Sequence, residues 1–213
     1  MDISIAGIRQ DYKRSALAEN EVAHHPVDQF RVWWTEAVNS QLDEVNAMTL
    51  ATASAEGVPS ARIVLLKGYD AHGFVFFTNY NSYKGKMLAE NPRACLVFFW
   101  KELERQVRIT GIVEKLTTQE SDQYFNSRPA GSRVGAIASP QSTVIESREW
   151  LENRVLELSA KPPETLKRPD HWGGYRVQPV TVEFWQGRES RLHDRIQYSL
   201  KDDGAWSIER LAP

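Results

Sequence analysis

The sequence predicts a mainly β protein, an antiparallel sheet or barrel with flanking helices. Two observations lead there. Short runs rich in β-branched and aromatic residues follow one another between turn residues, with few helical stretches among them, and no G-x-G-x-x-G turn joins a strand to a helix. Without that turn, a nucleotide or phosphorylated ligand has to be held by side chains rather than by the helix N-terminus of a dinucleotide fold.

The elements follow in order. Residues 1–27 show no clean period and end in His24-His25-Pro26; they read as an N-terminal arm, partly mobile, ahead of a single domain over 28–213. Phe30, Trp33, Trp34, Ala37, Val38 and Leu42 recur at helical spacing, with Asp28 placed to cap the first turn. Strands are expected over Met48–Ser54, Ser60–Lys67, Phe74–Thr78, Arg93–Trp100 and Arg105–Lys115, the first three punctuated by Glu56-Gly57 and His72-Gly73. Helices are expected over Ser82–Glu90, over Thr117–Ser127 with Thr117 and Glu120 at capping-box spacing, and over Ile145–Ala160. After the proline-rich connector Lys161–Pro169, strands are expected over Trp172–Val177, Val180–Gln186, Arg191–Leu200 and, past the Asp202-Asp203-Gly204 turn, Ala205–Leu211.

Composition narrows the functional classes. Hydrophobic residues make up 41% of 213, and the 12 glycines bring the apolar share to roughly 47%, which excludes disorder and collagen-like repeats. The 26 basic and 28 acidic side chains leave a net charge of -2, so no global field draws the molecule to nucleic acid or anionic membrane. Any anion site must be local. The bases are not gathered in a tail or stripe of the nucleic-acid-binding kind. Cys95 is the single cysteine, which excludes an internal disulfide and favours a reducing compartment, the cytoplasm. The opening MDISIAGIRQDYKR lacks the apolar stretch of a secretory signal, and the longest apolar run, Ala94–Trp100, is far below the roughly 20 residues of a membrane-spanning helix. Neither export nor a membrane partner is expected.

Four basic clusters could carry chemistry. In Arg191-Leu192-His193-Asp194-Arg195, a regular strand would send Arg191, His193 and Arg195 to one face, a positive row tolerable only in water or opposite an anion, with His193 available for proton transfer. A charged edge strand explains the same pattern. Arg62 and Lys67 bracket an apolar strand at odd separation, so one ligand would meet both only along the strand's end or edge; snorkelling surface bases are the simpler account. Ser82 reads as a helix cap with Lys84 and Lys86 in the first turn, where cations sit poorly unless an anion is bound. Tyr124, Arg128 and Ser132 together form the donor set a phosphate monoester needs. Other features point to structure: His24-His25 lack further ligands at metal spacing, Cys95 reads as a small buried hydrophobe, and Trp172 and Trp185 read as core or interface residues. The G-x-S-x-G nucleophile elbow is absent.

From Arg9 to Pro213 the strings RIVLLK, FFTNYNS, NPRACLVFFW, ERQVRITG, YFNSRP, QS, WGGYRV, EFWQG, RLHDR and ERLAP occur in order, and with them the chain resembles the pyridoxine/pyridoxamine 5'-phosphate oxidases. The resemblance implies an FMN-binding split β-barrel, a homodimer with FMN at the subunit interface. It implies oxidation of pyridoxine 5'-phosphate or pyridoxamine 5'-phosphate to pyridoxal 5'-phosphate, with oxygen as acceptor. It assigns FMN to Arg62, Ile63, Val64, Leu65, Leu66, Lys67, Phe77, Thr78, Lys84, Gln106, Gln141, Ser142, Trp185 and Arg195. Tyr83 belongs to the same set but stands where many members have arginine, so the phosphate grip would rest more on Lys84 and Arg62. It assigns the substrate phosphate to Lys67, Tyr124, Arg128 and Ser132, the substrate ring and catalysis to Arg191 and His193, and a covering role to Arg9 and Tyr12. The alternatives are a split-barrel flavin oxidase of another substrate class, such as phenazine biosynthesis, and a non-catalytic FMN- or pyridoxal-phosphate-binding carrier.

Overall fold

A computed structural model describes Tyr12 and residues 14–213. Nine strands form one sheet: β1 Ala47–Ala53, β2 Pro59–Leu65, β3 Gly68–Asp70, β4 Gly73–Asn79, β5 Arg93–Trp100, β6 Arg105–Lys115, β7 Trp172–Gln186, β8 Asp194–Leu200 and β9 Trp206–Arg210. Their order is β2-β1-β5-β6-β7-β4-β3, with β8 pairing β7 and β9 pairing β8. The pairs β3–β4, β4–β7, β7–β8 and β8–β9 are all antiparallel. Five helices flank it: α1 Pro26–Asn39, α2 Tyr83–Glu90, α3 Thr118–Ser127, α4 Ala130–Ala138 and α5 Arg148–Ser159. No helix among the described residues is long and apolar enough to cross a membrane.

The described chain divides into two compact units. One holds the residues up to Met48 with Leu96–Thr110 and Pro179–Pro213; the other holds Thr49–Cys95 and Gly111–Gln178. In the first, Phe30, Phe98 and Phe184 are fully buried and Trp33 nearly so, with the Trp33 ring edge-on to Phe184 at 5.2 Å. In the second, β4 buries Phe74 and Phe76, and α2 and α3 bury Met87, Leu88 and Phe125.

Local sequence explains most boundaries. Thr117 and Glu120 close a full capping box at α3, Ser82 caps α2 by accepting from the Gly85 N–H, and Gly57, Gly73 and Gly204 take positive φ in the expected turns. Five expectations need correction. α1 starts earlier: Pro26 occupies its first turn, His25 caps it through Nδ1, and Asp28 instead binds Arg31. α4 stands where no helix was expected between Ser127 and Ile145, because Pro129 is a suitable N-terminal flank for a helix. β7 runs unbroken for 15 residues, since Pro179 falls between the stretch paired with β4 and the stretch paired with β8, where its missing N–H costs little. β8 starts only at Asp194, because Ser190 and Arg191 adopt left-handed backbone. Cys95 is only half-buried on β5.

Candidate active site

In the second unit, a cavity of about 630 Å³ is lined by Arg62, Ile63, Val64, Leu65, Lys67, Phe77, Thr78, Lys84, Tyr124, Arg128, Pro129, Ser132, Gln141 and Trp172. That size suits a cofactor or a substrate. Arg62 and Lys67 meet there because β2 ends at Leu65; Lys67 lies in the turn, its N–H donating to the Val75 carbonyl, so strand alternation does not separate them. Leu66 turns into the core at 5% exposure, outside the lining.

Two cations occupy one part of this cavity. The Arg62 guanidinium donates to the Leu50 carbonyl (3.2 Å), Thr52 Oγ1 (2.7 Å) and Ser60 Oγ (2.7 Å). Lys84, 8% exposed on the first turn of α2, places Nζ 3.2 Å from Thr78 Oγ1, 3.4 Å from Ser82 Oγ and 3.3 Å from Gln141 Oε1. All these partners are neutral. Burial pushes the Arg62 and Lys84 pKa values down, and the Arg62 charge pushes Lys84 further the same way. Two desolvated like charges without a carboxylate are costly until an anion joins them. A flavin phosphate has the charge and the acceptor oxygens to do so, so the donor set fits FMN. Tyr83, the first residue of α2, is 58% exposed, and Ser142 is exposed in left-handed backbone outside the lining.

A second donor group lines the same cavity. Tyr124 on α3, Arg128 at the end of α3 and Ser132 on α4 converge because Pro129 turns one helix directly into the next. The Tyr124 ring stacks on Phe77 at 3.8 Å. Burial raises the Tyr124 pKa, keeping the phenol a neutral donor, and lowers that of Arg128. Arg128 Nη1 is buried and has no hydrogen-bond partner among the described residues. Sequence reasoning missed Trp172 as a lining residue. Its signal was the Trp172-Gly173-Gly174 run: a Cβ at Gly173 would come within 2.2 Å of the Tyr80 hydroxyl, and one at Gly174 within 2.8 Å of the Phe77 ring, so glycines are needed for aromatic side chains to close in.

The remaining site residues lie in the first unit. His193 packs against Trp185 (4.6 Å between ring centres), and Tyr12 sits edge-on to both, at 5.7 Å from Trp185 and 5.9 Å from His193. His193 Nδ1 accepts the Arg188 N–H at 3.1 Å, so the neutral ring carries its proton on Nε2. Burial and then the Arg191 charge lower its pKa. Gln106 lies half-buried on β6, and Arg9 lies outside the described residues. The expected row of Arg191, His193 and Arg195 on one strand face does not form, because only Arg195 is in β8. Arg195 is also not unpaired: Nε and Nη2 bind the carboxylate of Glu183, itself 2% exposed, at 3.0 and 3.1 Å, which raises the arginine pKa.

Comparison with known proteins decides the family. Residues 34–161 match the family profile described as pyridoxamine 5'-phosphate oxidase, and residues 172–213 match the pyridoxine 5'-phosphate oxidase C-terminal dimerisation region. The chain belongs to the pyridoxine/pyridoxamine 5'-phosphate oxidase family. A pyridoxine/pyridoxamine 5'-phosphate oxidase of Nostoc punctiforme is 58% identical over the full length of both chains, and one of Burkholderia thailandensis is 58% identical over 99% of each. Among solved structures of this oxidase fold, PhzG from Burkholderia lata 383, in complex with tetrahydrophenazine-1-carboxylic acid, superposes with a TM-score of 0.86 at 29% identity, over 93% of this chain and 98% of that one. A pyridoxamine 5'-phosphate oxidase-related, FMN-binding protein of Nostoc punctiforme shares the fold with a TM-score of 0.71 at 19% identity, over 86% and 97%. The mainly antiparallel split barrel with flanking helices is thus the fold of this oxidase-family chain.

Proposed function

We propose that this protein is an FMN-dependent oxidase that converts pyridoxine 5'-phosphate or pyridoxamine 5'-phosphate to pyridoxal 5'-phosphate, acting in the cytoplasm as a homodimer. The alcohol and oxygen yield the aldehyde and hydrogen peroxide; the amine also consumes water and releases ammonia. One observation carries the reading: a single cavity holds two groups of cations without carboxylate partners among the described residues, Arg62 with Lys84 and Arg128 with Lys67. Each phosphate brings about -1.5 to -2 of charge, so two groups suit two phosphates.

When bound, FMN would supply the two-electron redox chemistry that links oxidation of the substrate's C4' carbon to reduction of oxygen. Arg62, Lys84, Thr78 and Gln141 would grip the cofactor phosphate, Ile63, Val64, Leu65, Lys67 and Phe77 line the same cavity, and the family resemblance adds Leu66, Tyr83, Gln106, Ser142, Trp185 and Arg195 to the residues that would hold it. Lys67, Tyr124, Arg128 and Ser132 hold the substrate phosphate. Arg191 and His193 orient the pyridine ring and handle the substrate proton, His193 presenting Nε2–H because Nδ1 is engaged by Arg188. Arg9 and Tyr12 cover the substrate.

PhzG was solved with a phenazine carboxylic acid, a ligand without phosphate, which makes a flavin oxidase of that class the main rival. The Tyr124, Arg128 and Ser132 cradle favours the phosphorylated vitamers, since a carboxylic acid would leave donors unused. Oxygen consumption by purified protein with each phosphorylated vitamer, with and without added FMN, tests the reading. Substrate-dependent peroxide with a yellow protein is expected. Bound ligand without turnover would make it a carrier, and turnover of phenazine precursors alone would make it the rival oxidase.

A further inference from the structure

Trp172 has no role in the assignments above, yet it touches two side chains of the proposed substrate site, Tyr124 and Arg128, and one proposed cofactor contact, Phe77. Its ring lies nearly parallel to Phe77 (5.6 Å, 15°) and to Tyr124 (6.2 Å, 5°), and the Arg128 guanidinium carbon lies 4.7 Å from its centre. The indole is itself fixed. It opens β7 with Asn79 as its register partner, its carbonyl accepts from Arg168 Nη1 at 2.6 Å, and Phe125 packs edge-on at 5.4 Å. Arg168 is in turn held by Asp122 at 2.5 Å.

Arg128, by contrast, has little else to hold it. It has no ion pair among the described residues, its Nη1 is buried without a hydrogen bond, and its backbone is the corner between α3 and α4. A long, flexible cation in that position gains orientation from the face of an aromatic ring, and tryptophan offers the strongest such face. We infer that Trp172 is a positioning residue for substrate phosphate: it presents the Arg128 guanidinium to the cavity and completes the Phe77–Tyr124 stack that aims the phenol. The inference rests on the substrate reading above, but concerns a residue that reading does not use.

The test compares Trp172→Leu and Trp172→Phe with Arg128→Ala and the Trp172→Leu/Arg128→Ala double variant, using pyridoxine 5'-phosphate and phosphate-free pyridoxine as substrates. For the phosphorylated substrate, Trp172→Leu should raise KM about tenfold, as expected for loss of a desolvated cation–π contact, with kcat changed less than threefold. Trp172→Phe should show a smaller rise of about threefold, and FMN titration of the apoprotein followed by flavin fluorescence should give a Kd that changes less than the KM in both, since Phe77 is the one cofactor contact the indole touches. In the Arg128→Ala background Trp172→Leu should add little further, since the guanidinium it positions is gone. The inference is overturned if Trp172→Leu raises the two substrates' KM values alike, or if its effect is undiminished without Arg128. Should Trp172→Leu fail to fold, a folded Trp172→Phe with wild-type KM for the phosphorylated substrate overturns it equally. If Arg128→Ala itself leaves that KM unchanged, the substrate reading falls first, a result separable from the Trp172 outcome.

Discussion

Arg195 and Arg62 are both partly buried guanidinium groups, but their surroundings are opposite. Arg195 is clasped by both oxygens of buried Glu183, which also takes Arg108 at 2.5 Å. In the same unit Arg210 binds Glu19 and Asp194, and Arg105 binds Glu36. Among the described residues Arg62 meets a carbonyl and two hydroxyls, and Lys84 and Arg128, which line the same cavity, likewise have no carboxylate partner. The pKa directions agree: partner carboxylates raise those of Arg195 and Arg210, whereas burial lowers those of Arg62, Lys84 and Arg128. The lesson is that charge alone does not mark a phosphate site. Desolvated charge left without an internal counterion does, because folding gains nothing from it.

That contrast can be broken from either side. The largest effect is expected at the paired side. Glu183→Gln leaves Arg195 and Arg108 without their anion and should cost about 3 kcal/mol, lowering Tm by roughly 6–12 °C in a calorimetric scan. A wild-type Tm would mean the clasp is not structural. On the unpaired side, Lys84→Met should weaken FMN binding about 30-fold, the loss of one charge-assisted contact, while the apoprotein melts no lower than wild type because a repulsion has been removed. A lower apoprotein Tm would place Lys84 with the structural cations. Ser82→Ala tests both sides at once. Its hydroxyl caps α2 and donates to the Asn79 carbonyl at 2.6 Å, so about 1 kcal/mol of stability and some FMN affinity should be lost together.

The smallest effect concerns pH. His193 has a lowered pKa, so it binds fewer protons folded than unfolded in the window just below 6.5, and its contribution to stability is lost as pH falls through that window. Protonation also puts a hydrogen on Nδ1, where the Arg188 N–H now donates. The acid limb of kcat should therefore reflect His193, and in Arg191→Ala it should move up toward 6.5, because one of the two causes of the shift is gone. An unmoved limb would show that Arg191 does not act on this imidazole.

Much of this was legible in the sequence where the signal is local. The capping box at Thr117 and Glu120, the Ser82 cap and strands Arg93–Trp100 and Arg105–Lys115 appear at the positions their residues predict. The convergence of Tyr124, Arg128 and Ser132 was legible too, since the spacing spans one corner. What the sequence hid depends on distant partners. The RLHDR run reads as strand from residue 191, but the left-handed Ser190 and Arg191 and the Leu192 N–H bond to the Glu189 carbonyl hold its first half in a turn. Glu183 gives no hint in its own neighbourhood that it neutralises Arg195, because the contact is made across the β7–β8 pair. Trp172 looked like an ordinary core aromatic, since its role rests on a cation 44 positions away in the chain.

The cation pair of Arg62 and Lys84 also bears on how the flavin-free protein behaves on the bench. Small inorganic oxyanions carry the same charge as the group those side chains are built to hold. Sulfate or phosphate in a storage buffer should therefore bind between them, protect the apoprotein from heat and slow its reconstitution, whereas a chloride-based Tris buffer of equal ionic strength should do neither.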